Sequence, residues 1–149
     1  MRDVILSGSM SLDGFVGSHR EHPGIAIPGG VELEQWKLDG ISKAGALLMG
    51  RVTHQEMSSS WPQSQDPYAG PMDENPKVVF SKTLGDAEAT WPATRVARRD
   101  LATEISAIEA EPGPDVIVRG GSRLAGALAA ADLVDEYRPL VQVYRPEHT

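Results

Sequence analysis

The sequence predicts an α/β fold, a mainly parallel sheet with helices on both faces. Three observations carry that expectation. Val4-Ile5-Leu6, Ala46-Leu47-Leu48-Met49, Val78-Val79-Phe80 and Val116-Ile117-Val118 are unbroken apolar runs, the pattern of strands covered on both sides. Between them lie segments with apolar residues at helical spacing, such as Leu101, Ile105 and Ile108. Strands alternate with helices at the intervals that parallel crossovers need.

Taken in order, Val4 to Leu6 opens the sheet and Ser7-Gly8-Ser9 closes the strand. Met10 to Gly30 reads as a long surface loop, because Asp13-Gly14, Pro23-Gly24 and Pro28-Gly29-Gly30 are all turn formers. Loops of that length in a small domain tend to be functional. A helix is expected from Val31 to about Lys43, with Glu32 and Glu34 in the first turn, where the helix dipole favours acids. Ala46 to Met49 forms a second strand and leads through Gly50 and Arg51 into a short helix around Thr53 to Met57. Ser58 to Pro76 is expected to return to loop. Lys77 to Ser81 and Thr94 to Ala97 give the third and fourth strands. Asp100 caps the next helix, which Pro112-Gly113-Pro114 stops. Val116 to Val118 is the fifth strand, Gly120-Gly121-Ser122 turns it into an Ala-rich helix with Leu124 and Leu128 one turn apart, and Glu136 to Tyr144 is the sixth.

The 149 residues suit one domain, 1–149, without internal repeats or a linker. With 14 Lys and Arg against 21 Asp and Glu the net charge is -7, which repels phosphate backbones and argues against a nucleic-acid partner. The mean hydropathy is -0.27, and no apolar run nears the roughly 18 residues of a membrane helix. The absence of cysteine excludes disulfides, thiolate metal sites and a Cys nucleophile. No signal core follows Met1-Arg2-Asp3, so a cytoplasmic protein is expected. His19, Glu21 and His22 lack the spacing of a metal site, and no metal is expected. Without paired carboxylates or a metal cluster, a phosphate-ester hydrolase is also disfavoured.

In open α/β sheets, ligands bind beyond the carboxyl ends of the strands, where turn amides and helix N-termini face an anion. Three segments have that form: Leu48 to Thr53, Val79 to Thr83, and Val118 to Arg123. Each delivers small or hydroxyl residues together with a cation, the ingredients of a phosphate cradle. A glycine after a strand also turns the chain with no ligand at all. None of the three has P-loop spacing, and Gly120-Gly121 lacks the third glycine of the dinucleotide fingerprint.

Met49-Gly50-Arg51-Val52-Thr53 resembles the Met-Gly-Arg-x-Thr segment of dihydrofolate reductases. Lys77 to Thr83 resembles their following strand, and Asp115 to Leu124 their glycine-pair turn. Met10-Ser11-Leu12-Asp13-Gly14-Phe15 and Ala131-Asp132-Leu133-Val134-Asp135-Glu136 are more similar to the sister family, the reductase domain of riboflavin biosynthesis and its bacterial relatives. The likeness runs from about Val4 to Val143. It implies a dihydrofolate reductase-like three-layer sandwich with a mixed, mainly parallel sheet. It also implies NADPH as cofactor. Gly50, Arg51 and Thr53 would hold phosphates, with Arg51 selecting the 2′-phosphate through its bidentate fork, and Ser81 and Lys82 would flank that group. Gly120, Gly121, Ser122, Arg123 and Leu124 would form the pyrophosphate turn, and Ser9 to Gly14 would lie near the nicotinamide. For the acid that protonates substrate, the resemblance points to the region of Glu32 and Glu34, which first-turn placement explains equally well. Asp13 is a third candidate, although an Asp-Gly turn needs no catalytic role.

After Glu136 the sequence departs from the family's pattern. Relatives continue into a further turn and hairpin, whereas this sequence reads Tyr137 to Thr149 and stops, so the last strands are expected to be missing. Pro139 falls inside the sixth strand, where it removes a ladder donor. An unpaired apolar edge invites association, and a homodimer is expected. Two functional readings follow. One is an NADPH-dependent reductase of a small heterocyclic (pterin or aminopyrimidine-like) or carbonyl molecule. The other is a nucleotide-binding protein of the same fold without turnover.

Overall fold

The computed structural model describes residues 1–10, 30–119 and 121–141, with side chains described except at 9–10, 30–34 and 139–141. Along these residues the chain runs β1 (Val4–Met10), α1 (Gly30–Lys43), β2 (Ala46–Gly50), α2 (Arg51–Ser60), α3 (Ala69–Glu74), β3 (Lys77–Phe80), β4 (Thr94–Ala97), α4 (Leu101–Ala110), β5 (Val116–Val118), α5 (Ser122–Ala130) and β6 (Glu136–Val141). The strands form a single sheet in the order β4-β3-β2-β5-β1-β6, and every pair is parallel. Among the described residues there is thus no antiparallel member.

Successive side chains in a strand point to opposite faces, and this sheet fills both. Ala46 and Leu48 of β2 join Val78, Val116, Val118 and Val4 in one core, which α4 and α5 close with Ile105, Ile108, Leu124 and Leu128. Leu47 and Met49 join Val79 and Ile117 in a second core with Ile41 of α1, Met72 of α3 and Trp91. Leu47, Leu48 and Met49 are fully buried, as their unbroken apolar run predicts.

Three elements differ from the sequence reading. β1 does not stop at Leu6. Its polar Ser7-Gly8-Ser9 stretch is carried on to Met10 by pairing with β6, from Ser7 opposite Arg138 to Met10 opposite Val141. The helix after β2 reaches Ser60, because the serines expected to be loop return their hydroxyls to its carbonyls: Ser59 Oγ donates to Glu56 O at 2.8 Å and Ser60 Oγ to the same oxygen at 3.1 Å. The span expected to be loop also holds α3, anchored by the fully buried Met72. Lys77 seals that helix's C-terminus. Its Nζ donates to the carbonyls of Met72, Asp73 and Asn75 at 2.7 to 2.9 Å, and it lies 4.4 Å from the Trp91 ring centre.

The start of β6 is fixed by Asp135. Its carboxylate accepts from Val4 N at 2.8 Å, and its own amide donates to Val4 O at 2.9 Å. Pro139 lies opposite Gly8 in β6, an edge of the described sheet and the place where a strand tolerates a missing donor. The segment after Val141 lies outside the described residues. No described helix is long and apolar enough to cross a membrane.

Candidate functional site

The strand order opens a crevice where β2 and β5 meet. From β2 the chain passes through α2 to β3 on one side, and from β5 it passes through α5 and beyond β1 to β6 on the other. α2 covers the face of the second core, where Met57 packs, and α5 covers the face of the first through Leu124 and Leu128. β2 and β5 are neighbours whose following helices diverge, which is the topological switch point of an open parallel sheet. Beyond their carboxyl ends lies a cavity of about 530 Å³, lined by Gly50, Arg51, Val52, Thr53, Phe80, Ser81, Gly121, Ser122, Arg123 and Leu124. That volume is typical of small-molecule sites.

The two helices that begin here start without side-chain caps. Gly50 precedes α2 and Gly121 precedes α5, and neither glycine supplies a side-chain cap. α4 begins differently, with Asp100 accepting from Thr103 N at 3.0 Å. Uncapped first-turn amides carry the positive end of the helix dipole, and here two sets of them border one cavity. Gly121 holds φ at +93°, open to glycine and strained for other residues. A Cβ there would lie 3.4 Å from Thr53 Oγ1 and 3.7 Å from Gly50 N, so the two turns meet closely. A Cβ on Gly50 would meet nothing within 4 Å. Arg51 and Arg123 bring positive charge to a lining that holds no carboxylate.

Of the sequence candidates, Gly50, Arg51, Thr53, Ser81, Gly121, Ser122, Arg123 and Leu124 share this cavity. Ser81 Oγ already accepts from the amides of Thr83 at 3.2 Å and Leu84 at 3.0 Å, holding the turn after β3. Lys82 is exposed in that turn and does not line the cavity. Asp13, Gly14 and Gly120 lie outside the described residues, as do His19, Glu21 and His22. Ser9 is in β1, and Glu32 and Glu34 are in the first turns of α1, with side chains outside the description. Among the described residues no three His, Asp or Glu side chains are grouped to hold a metal ion.

Val52 and Phe80 line the cavity without having been singled out from the sequence. Their apolar character gave no chemical signal, and only strand order brings them together. His54 is 1% exposed, on the core side of α2. Its ring lies 6.0 Å from that of Trp91, and both ring nitrogens lack a hydrogen-bond partner. Burial, then the nearby Lys77 charge, hold its pKa below the ordinary histidine value. Burial likewise lowers Lys77 to about 8, against the opposing charge of Asp73.

Residues 2–142 match the RibD C-terminal domain family. The chain belongs to that family. Two solved structures share its fold. One, a protein assigned to riboflavin biosynthesis in Shewanella sp. PV-4, superposes with a TM-score of 0.64 at 19% identity, over 97% of this chain and 86% of the other. The second is a diaminohydroxyphosphoribosylaminopyrimidine deaminase/5-amino-6-(5-phosphoribosylamino)uracil reductase of Thermotoga maritima. It superposes with a TM-score of 0.62 at 17% identity, over 97% of this chain and 45% of the other, so the chain spans under half its length. No curated protein matches the chain. The RibD C-terminal domain family lies within the dihydrofolate reductase-like superfamily that the motifs resemble.

Proposed function

We propose that the protein is an NADPH-dependent reductase of a small heterocyclic, pterin or aminopyrimidine-like, or carbonyl molecule. The observation that carries this reading is the junction of two uncapped helix N-termini across one cavity at the β2/β5 switch point, with Gly121 closing onto Thr53. Membership of the RibD C-terminal domain family supports it, as does the reductase activity in the name of the Thermotoga protein of the same fold.

The residues present fit a dinucleotide phosphate. The open space beside Gly50 leaves room for an oxyanion against the α2 amides, and the α5 amides with Ser122 offer a second set of donors. Arg51 is exposed, and among the described residues it is restrained only by a 3.3 Å bond to Gln55 Oε1, so its guanidinium can pair a phosphate in a fork. Arg123 supplies the cation beside the second turn. Phe80, Val52 and Leu124 give the cavity an apolar wall that displaces water from a bound nucleotide. Bound NADPH supplies the hydride. The chain's own part is to bind, orient and shield.

Titration calorimetry with NADPH and NADH, repeated on Arg51→Ala, tests the reading. The expected result is micromolar binding that favours NADPH about tenfold, roughly 1.4 kcal/mol, with the preference lost in the variant. A folded sample that binds neither nucleotide overturns it. Binding without NADPH oxidation on any pterin, pyrimidine or carbonyl compound would favour the non-catalytic nucleotide-binding protein. We further propose a cytoplasmic homodimer, which light scattering of the purified chain tests through its mass.

A further inference from the structure

Arg119 stands at the carboxyl end of β5, two residues before Gly121, and the cavity described above does not use it. Its amide still donates to Leu48 O at 2.8 Å, so the strand alternation continues through it. It therefore shares a face with Ile117, that of the second core, where Trp61 and Tyr68 pack with ring centres 6.2 Å apart. The side chain is largely buried, and its Nε is sealed from solvent with no hydrogen-bond partner. Burial works against its charge, and among the described residues only the Tyr68 phenol is a titratable neighbour that favours it. A guanidinium stays protonated at any physiological pH, and an unpaired buried cation is costly. Lys77, the other buried cation of this face, has three carbonyls on its Nζ. Among the described residues the Nε of Arg119 is thus an unused donor, on the face that carries Trp61 and Tyr68 and at the edge of a strand whose other side opens on the cavity.

We propose that Arg119 recognises the second reactant, holding a carboxylate or phosphate oxyanion carried on a flat ring that packs toward Trp61 and Tyr68. The guanidinium fork suits either oxyanion bidentately, and the two aromatic rings give a flat partner something to pack on. The reactant role rests on the reductase reading, whereas the anion site stands without it. The protein would thus discriminate for acidic members of its substrate class, against the general repulsion of anions by a net charge of -7.

The test is quenching of tryptophan fluorescence by phenyl phosphate, benzoate and neutral benzyl alcohol, with and without saturating NADPH, on the wild type, Arg119→Met and Arg119→Lys. Wild type is expected to bind at least one of the two anions tenfold or more tighter than the alcohol, and the stronger of them identifies the oxyanion. Arg119→Met is expected to lose that preference while keeping NADPH affinity within twofold and a melting temperature equal to or above wild type. Arg119→Lys, which keeps charge without the fork, should fall between. The proposal is overturned if wild type shows no anion preference, if Arg119→Met retains it, or if anion and NADPH binding fall together. A collapse of the fold in Arg119→Met also overturns it, since the guanidinium would then have a structural partner. Loss of NADPH binding in wild type alone, with the Arg119-dependent anion preference intact, overturns the reductase reading and leaves the anion site standing.

Discussion

Gly121 and Thr53 touch across the mouth of the cavity: a Cβ on the glycine would stand 3.4 Å from the threonine hydroxyl. They are separated by 68 positions in sequence, yet each belongs to the opening turn of a helix that leaves the sheet on a different face. The contact exists because β2 and β5 are neighbours in the sheet. It brings the backbone of one helix-opening turn against the side chain of the other.

Gly50 and Gly121 separate binding from folding. Gly50→Ala places its methyl in open space at an ordinary φ of -85° and is expected to cost about 1 kcal/mol or less of stability while weakening nucleotide binding. Gly121→Ala forces a φ of +93° on alanine and is expected to cost about 1–3 kcal/mol as well as binding. Urea unfolding and calorimetry on the two variants check the contrast; equal stability losses would refute it.

The pH dependence near neutrality is expected to come from His54. Its folded pKa is lowered by burial and by Lys77, while the unfolded chain protonates near the ordinary value of 6.5. Below that value the unfolded state binds more protons, so stability falls as pH falls, by up to about 1 kcal/mol between pH 7 and 5.5. His54→Leu should flatten this part of the curve. Denaturation midpoints at the two pH values, on both proteins, decide it.

Glu104 is the anchor of an exposed pair of arginines. It is 2% exposed, accepts from Arg95 Nη1 at 3.0 Å and Arg99 Nε at 2.9 Å, and its pKa is lowered chiefly by the Arg99 bond, with burial opposing. Its contribution is present above the ordinary carboxylate value of 4.5 and is lost as pH falls through the lowered one. Glu104→Gln should cost about 2 kcal/mol at pH 7 and progressively less as pH falls below 4.5. A cost that does not change with pH would show that shape rather than charge is at work.

The N-terminus is stapled where Gly45 leaves space. Arg2 Nε donates to Ile108 O at 3.1 Å and Nη2 to Glu111 at 2.7 Å, closing α4, and a Cβ on Gly45 would fall 2.3 Å from Pro114 O and 2.8 Å from Arg2 Nη1. Gly45→Ala is expected to destabilise by about 3 kcal/mol, since a backbone carbonyl has to move. Chemical denaturation measures it, and a loss below about 1 kcal/mol would mean that the neighbouring turn yields easily.

The sequence by itself determined the local pieces. Runs such as Ala46 to Met49 are apolar on every residue, the pattern of strands covered twice, and Asp100 before Leu101, Ile105 and Ile108 marks a helix start that the structure caps as expected. Glycines and cations after three of those strands were also legible, because each lies within a few residues of its strand. Ser81 and Lys82 show the limit, since adjacent residues after β3 part company, one lining the cavity and the other exposed in the turn. Tertiary structure decided which strands are neighbours, hence that Gly50, Ser81 and Gly121 border one cavity, that β1 extends to Met10 against β6, and that the buried His54 faces Trp91. The physical reason is range. Helix and strand patterns are set by burial along a few consecutive residues, whereas pairing between distant segments is set by how all the apolar faces are covered at once, which no short stretch of sequence contains.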